Sequence, residues 1–303
     1  KDDSEWLPQS EKEWNTERID KKYFNLARVI RSMNNNHGPD LLGVCEVENK
    51  MVLDSLTIKF LSDLDFKVAH LESPDNRGID NALIYRSNKF KLLNVQADTV
   101  LLADNYPTRL IFGANLLTTA NEKVTVFVNH WPSRRGGEQS VESRIIAAKT
   151  LNKSVDKILQ NEPNSKIIII GDFNDNPNDV SILEHLKAEP IICDSVTDIN
   201  LQIDVQSNLF NLSYESYGKG IGSYKYKEDW NMLDQIIVSR DLILNENFSY
   251  ICNSFEVYKP NFIVTKSGNY KGAPFPTYGG SRYLGGYSDH YPVLAKFKIV
   301  NWK

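Results

Sequence analysis

The chain has 303 residues, of which 24% are charged and 41% hydrophobic, the make-up of an ordinary soluble globular protein. No stretch approaches eighteen consecutive apolar residues, which excludes a hydrophobic helical membrane span. A formal charge of −4 speaks against a protein that clings to nucleic acid through bulk positive charge, but leaves room for an enzyme meeting phosphates through a metal and a few arginines.

Taken in order, residues 1 to 20 are polar and tryptophan-containing and read as an irregular surface arm. Tyr23, Leu26, Ala27, Ile30 and Met33 recur at helical spacing, predicting an amphipathic helix over roughly 16–34 that the run Asn34 to Pro39 ends. Asp40 to Glu48 reads as a buried strand with acids at its exit. Asn49 is placed to cap a helix from Lys50 to about Asp63, with Met51, Leu53, Leu56, Phe60 and Leu61 as its apolar residues. From Phe66 to His130 the pattern turns to strands: 66–70, 79–86, 91–102, 108–118 and 123–130, separated by turn clusters such as Pro74-Asp75-Asn76-Arg77-Gly78. Glu138 to Gln160 is helical, with Val141, Ile145, Ala148, Val155 and Ile158 along one face. Lys166 and four consecutive isoleucines, stopped by Gly171, predict a central strand buried on both faces. A short helix near 180–187 follows, then strands at Asp234 to Val238 and Val293 to Val300, with a Gly/Tyr-rich loop over 270–287 between them. Neither an internal repeat nor a composition shift marks a boundary, so one domain over 1–303 is expected. Cys45, Cys193 and Cys252 lack metal-ligand spacing and follow apolar residues, which predicts buried thiols.

Polar groups gather where strands end. After the isoleucines come Asp172 and Asn174; on extended backbone, side chains at i and i+2 point the same way and can converge on one object. Asp175-Asn176-Pro177-Asn178 is equally good turn chemistry, so this stretch alone reads as either a turn or a site. Glu46 near a strand exit could ligate a hard cation such as magnesium or be a solvated acid, and Glu48 has a weaker claim to the same site. His130 closes an apolar run and precedes Arg134, Arg135 and two glycines, a phosphate-facing pattern or a histidine bonded to a backbone carbonyl beside solvated arginines. Arg109 is a phosphate contact or a strand-face charge. Adjacent Asp289 and His290 point in different directions and need separate partners. Asp289 on the metal, with His290 on the phosphate and oriented by Asp234, is one arrangement; a plain strand-start acid is the other reading of Asp234.

Glu46 in GVCEVEN, His130 in VNHWPS, Asp172 and Asn174 in GDFND, Asp234 in LDQIIVS, and Asp289-His290 in YSDHYPV occur in one order from about Asp40 to Phe297. Together they resemble the endonuclease/exonuclease/phosphatase superfamily, and RGIDNALIY and YLGGYSDHYPV are similar to its bacterial members. The resemblance implies an α/β fold: a four-layered α/β/β/α sandwich of two packed, mostly antiparallel sheets with outer helices. Carried over residue by residue, it makes Glu46 the main Mg2+ ligand (Mn2+ being the alternative ion) and Asp289 a second. Asp172 would hold and deprotonate the attacking water, Asn174 would donate to the transferring phosphoryl group, and His290, paired with Asp234, would stabilise its charge or act as an acid/base. His130 matches a second histidine serving the leaving-group side, and Arg109, Arg134 and Arg135 would bind substrate.

The expected activity is hydrolysis of phosphodiesters, of DNA or RNA first. A small or lipid-derived phosphate is the runner-up substrate, and a binding module without catalysis the remote alternative. A monomer is expected. Family members begin with a strand bearing an asparagine that supports the metal site, and nothing before Glu46 fits it, so that strand is expected to precede Lys1. The start without methionine and the family's exported members point to a secreted or periplasmic protein.

Overall fold

A computed structural model describes residues 4–193 and 207–300 of the chain. Helix α1 (Thr16–Asn36) starts where the Asn15 side chain accepts from the Arg18 amide at 3.1 Å, and it loosens at its end, where Asn34 and Asn35 take left-handed backbone angles. Strand β1 (Leu41–Val47) leads into α2 (Lys50–Phe60), whose cap is Asn49, accepting from Val52 N at 3.2 Å. Strands β2 (Phe66–His70), β3 (Asp80–Arg86), β4 (Phe90–Asp98), β5 (Ile111–Thr118) and β6 (Lys123–His130) follow, then α3 (Glu138–Asn161) and β7 (Ile167–Asp172). Beyond a π-helical turn at Ser181–Leu186 come β8 (Ala188–Pro190), β9 (Leu209–Asn211), the hairpin β10 (Tyr224–Tyr226) and β11 (Asp229–Asn231), and β12 (Asp234–Ser239). The rest consists of short strands: β13 (Phe248–Tyr250), β14 (Glu256–Val257), β15 (Tyr278–Gly279), β16 (Arg282–Tyr283), β17 (Val293–Leu294) and β18 (Phe297–Ile299).

The main sheet has seven strands in the order β4-β5-β6-β7-β12-β9-β8 and is mixed, because β6/β7 and β8/β9 run parallel among otherwise antiparallel neighbours. The parallel β6/β7 pair requires a crossover, and α3 supplies it. A smaller sheet, β1-β3-β2, packs its Leu41, Leu83 and Tyr85 against Val126, Val128, Ile168 and Ile236 of the main sheet. On the other side, Ala147, Ala148, Leu151 and Val155 of α3 cover Ile167, Ile169 and Ile237. The isoleucine run thus alternates between two cores, as a strand buried on both faces must. Helices α1 and α2 share an apolar core around Tyr23, Ile30 and Leu56, and Leu53 of α2 packs on Ala82 and Ile84 of β3.

Several expectations change. The buried face of α3 runs through Arg144, Ala147, Ala148, Leu151 and Val155, and Val141 is exposed; helical phase is set by what the sheet offers, and a salt bridge brings Arg144 inward. Met51 on α2 is likewise exposed. Cys193 and Cys252 are joined in a disulfide and only Cys45 is a free thiol, so the expectation of three buried thiols is wrong; chain spacing of 59 residues carries no hint of spatial adjacency. The final strand splits into β17 and β18, and the 270–287 loop contains the small β15/β16 hairpin.

Two glycines permit the central packing. A Cβ at Gly43 would lie 2.6 Å from Ile170 Cδ1, so its absence lets β1 approach β7. Gly171 has φ +136°, and a Cβ there would fall 1.9 Å from the Asn129 carbonyl oxygen. Gly171→Ala should therefore cost on the order of 3 kcal/mol or more. Urea melts would show it as a lowered midpoint at unchanged slope; an unshifted midpoint would refute the argument.

Candidate active site

Register places three of the polar groups side by side. Parallel β6 and β7 pair His130 with Asp172 at their exits, and antiparallel β12 pairs its first residue, Asp234, with Asp172. Strand β1 joins them through Cys45, whose thiol donates to Asn129 O at 3.2 Å. The next residue, Glu46, sits where the β1/β3 register shifts, at φ +59°, a strained left-handed conformation for a glutamate. Bulges and such strain re-aim side chains at functional sites. Glu46 and Glu48 are both exposed, Glu46 acting electrostatically on Asp172 and Glu48 on Tyr23 of α1. His290 enters from the loop before β17, pinned by an isolated bridge to Tyr224 and by ring packing on Tyr224 at 4.7 Å between centroids. A cavity of about 1370 Å3 is lined by Glu46, His130, Asp172, Asp234, Asp289 and His290, among others.

Within it, His290 Nδ1 lies 2.7 Å from Asp234 Oδ2. Burial would lower the pKa of His290, but the carboxylates of Asp234, Asp172 and Asp289 outweigh it and raise it to about 10, so this imidazole is a cation. His130 is the opposite case: burial, with the nearby charges of Arg109, Arg77 and His290, pushes it well below the ordinary histidine range, so it is neutral. Its Nε2 stands 3.7 Å from Asp172 Oδ2, and its buried Nδ1 has no hydrogen-bond partner among the described residues. Burial raises Asp172 itself to about 7, against the opposing pull of His290.

Asn174 does not lie on extended backbone; it turns left-handed at φ +52°, and its own N–H donates to Asp172 Oδ1 at 2.8 Å. Its side-chain amide donates to Asp172 Oδ2 (3.2 Å) and to Trp131 O (2.9 Å). The two residues do converge, but on each other, in the compact turn that Asp175-Asn176-Pro177-Asn178 continues.

The arginines divide. Arg109 is buried, with Nε donating to His130 O (3.1 Å) and Nη2 to Trp131 O (2.6 Å), so it ties the His130 strand end in place. Arg134 donates to Asn174 O (2.8 Å) and Asn231 Oδ1 (3.2 Å) and pairs with Asp179 at 2.6 Å, bracing the loop after β7. Arg135 is exposed beside Gly136 and Gly137 and interacts electrostatically with Tyr224. Sequence reading missed Arg144, whose Nε pairs with buried Asp175 at 2.7 Å; Asp175 also accepts from Ser181 at 2.6 Å. It missed Tyr224 as well, and Asp75 with Arg77, which had passed for turn residues.

Hard cations take carboxylate oxygens, and the carboxylates of Glu46 and Asp289 both act on the half-buried Lys22 ammonium, which donates to Thr277 Oγ1 (2.8 Å) and to Tyr287 O. Ligand-type atoms of Asp172, Asp234 and His290 also lie within 4.8 Å of one another. A protonated His290 already held by Asp234 is a poor ligand. A second grouping, His70, Glu72 and Asp80, is built around a His70–Asp80 contact of 2.9 Å, and Asp80 also accepts from Ser73 N at 2.8 Å.

A family model described as "Endonuclease/Exonuclease/phosphatase family" matches residues 1–298. The human nocturnin catalytic domain superposes with a TM-score of 0.58 at 18% identity, covering 90% of this chain and 86% of that one. A Bacteroides thetaiotaomicron mannosyl-6-phosphatase gives 0.58 at 14% identity, over 92% and 91%. Danio rerio TDP2 complexed with single-strand DNA product gives 0.55 at 13% identity, over 94% and 96%. No curated protein sequence matches the chain.

A carboxyl raised from 3.8 to about 7 binds its proton more tightly in the folded state, so its contribution to stability is present below about pH 4 and lost as pH rises through about 7. Asp172→Asn should therefore gain stability relative to the parent at pH 8, by up to about 4 kcal/mol, and little at pH 4. Thermal melts at both pH values test this; an equal shift at both would overturn the burial argument.

Proposed function

Because the chain belongs to the endonuclease/exonuclease/phosphatase family, we propose that it is a metal-dependent phosphodiesterase acting on nucleic-acid phosphodiesters by in-line attack of water. The observation that carries this reading is the Asp172 carboxylate set between a neutral and a charged histidine, His130 and His290. A magnesium or manganese ion at Glu46 and Asp289 would neutralise phosphate charge. Asp172, held by the Asn174 backbone and amide, orients the water and takes its proton. His290, kept cationic by Asp234, faces the phosphoryl charge that develops, and preorganised charge of this kind carries most of such accelerations. Neutral His130 offers a hydrogen bond on the leaving-oxygen side, and the leaving oxygen takes its proton from solvent. Arg135 is the substrate-side cation of the three arginines singled out in the sequence, whereas Arg109 and Arg134 act by positioning.

A small or lipid-derived phosphate is the second reading, favoured by the net charge of −4 and by the internal use of Arg109 and Arg134, which leave little for a long phosphate backbone. The proposal carries with it one domain with four α/β/β/α layers, supported by the three apolar cores that separate helices, small sheet, main sheet and α3. The Cys193–Cys252 disulfide supports an exported protein. Among the described residues no helix is long and apolar enough to cross a membrane.

One panel tests the reading: plasmid DNA, RNA, a bis-aryl phosphodiester, a phosphomonoester and sphingomyelin, with and without chelator. Diester turnover that chelator abolishes and Mg2+ or Mn2+ restores is the expected result; turnover of monoester alone would end the reading. Turnover should rise with pH through about 7 as Asp172 ionises, and Asp172→Asn should lose about a hundredfold or more while keeping the fold. Mg2+ should raise the melting temperature of the parent, and Glu46→Gln should weaken that shift; an undiminished shift would remove Glu46 from the metal.

A further inference from the structure

The turn between β2 and β3 is built to hold one guanidinium still. Asp75 is buried, and its carboxylate accepts from Arg77 N (2.9 Å), Arg77 Nε (3.1 Å) and Arg77 Nη2 (3.1 Å). It also accepts from Thr108 Oγ1 at 3.2 Å and stands 3.5 Å from Arg109 Nη1. The backbone is fixed as well: Gly78 N donates to Asp75 O (3.0 Å), Asp75 N to Ser73 Oγ (3.1 Å), and Ser73 N to Asp80 Oδ1 (2.8 Å). Asn76 Nδ2 reaches Tyr106 OH at 3.1 Å and ties the turn to the loop before β5.

Thr108 and Arg109 also meet the buried Asp75 carboxylate, and the Arg77 side chain is 58% exposed, so satisfying Asp75 does not by itself require Arg77. A fork locked by a carboxylate on one edge is instead preorganised for an anion on the other. Its position is telling. Asp75 also engages Arg109, which grips His130 O and Trp131 O, and the turn feeds β3 at Asp80, the partner of Val47, next to Glu46. Arg77 therefore stands within electrostatic reach of Glu46 and of His130, with the half-exposed ring of Tyr106 beside it. Arg109 and Arg134 spend their donors inside the protein, whereas Arg77 keeps an exposed edge.

We propose that Arg77 is a specificity-determining residue that binds a second phosphate of the substrate, adjacent to the scissile one on the His130 side, with Asp75 as its positioning residue. This rests on the phosphodiesterase reading above and deepens it: the preferred substrate is a nucleotide chain or nucleotide with a flanking phosphate, not an isolated diester. Tyr106 offers its face to the intervening sugar or base.

The test compares a thymidine dinucleotide with the same dinucleotide carrying a terminal phosphate, on either the 5′ or the 3′ side. Arg77→Ala should raise KM for one phosphorylated form about tenfold more than for the unphosphorylated dinucleotide, and Arg77→Lys, which keeps the charge near His130, should restore part of that difference. Calorimetric binding of the same dinucleotides in chelator reads the contact apart from catalysis. Arg77-dependent affinity without turnover would uphold the site while ending the phosphodiesterase reading. Turnover with affinity and KM indifferent to Arg77, or an equal effect on both dinucleotides, would overturn the inference. Arg77 lies on the surface, and matching melting curves would establish that the variants fold.

Discussion

The register of β6, β7 and β12 is the constraint on which the candidate site depends. It sets His130, Asp172 and Asp234 in one row at one edge of the main sheet, although 104 residues of sequence separate the first from the last. Parallel pairing of β6 with β7 brings two strand exits to the same edge, and the antiparallel return of β12 brings its start there. Gly171 permits it, because any side chain would strike the Asn129 carbonyl at the residue before the site. A slip of one residue would send every one of these groups to the opposite face.

Electrostatics then divides the labour among groups of the same kind. His130 is buried and His290 half-buried, and they differ in charge because their neighbours differ: arginines near one, three carboxylates around the other. Asp172 is held near neutrality in charge terms by burial, which suits a base working at ordinary pH. Around this centre, cations serve largely as ties. Arg109 holds the exit of β6, Arg134 and Arg144 hold the loop after β7, and each is paid for by a carbonyl or a carboxylate.

Much of the fold was legible because its signals are local. Helical spacing located α1, and its asparagine located the start of α2; five of the strands before α3 fall within a few residues of their expected places. Where periodicity failed, a long-range partner was responsible. Arg144 broke the apolar pattern of α3 because its mate, Asp175, lies beyond the helix, and Val141 stayed outside for want of a surface to cover. The Cys193–Cys252 bond was invisible for the same reason.

By itself the sequence determined which residue types stand at strand exits, since alternation and turn chemistry are written in neighbouring residues. It also determined, through five ordered motifs, the family whose chemistry those residues suit. Only the tertiary structure decided what each group touches. Asn174 meets Asp172 because its backbone turns left-handed, Arg109 faces inward because two carbonyls lie there, and Arg77 is held at the surface by one edge on Asp75. Charge state, donor supply and orientation are properties of a surrounding, and a surrounding is assembled from residues far apart in the chain.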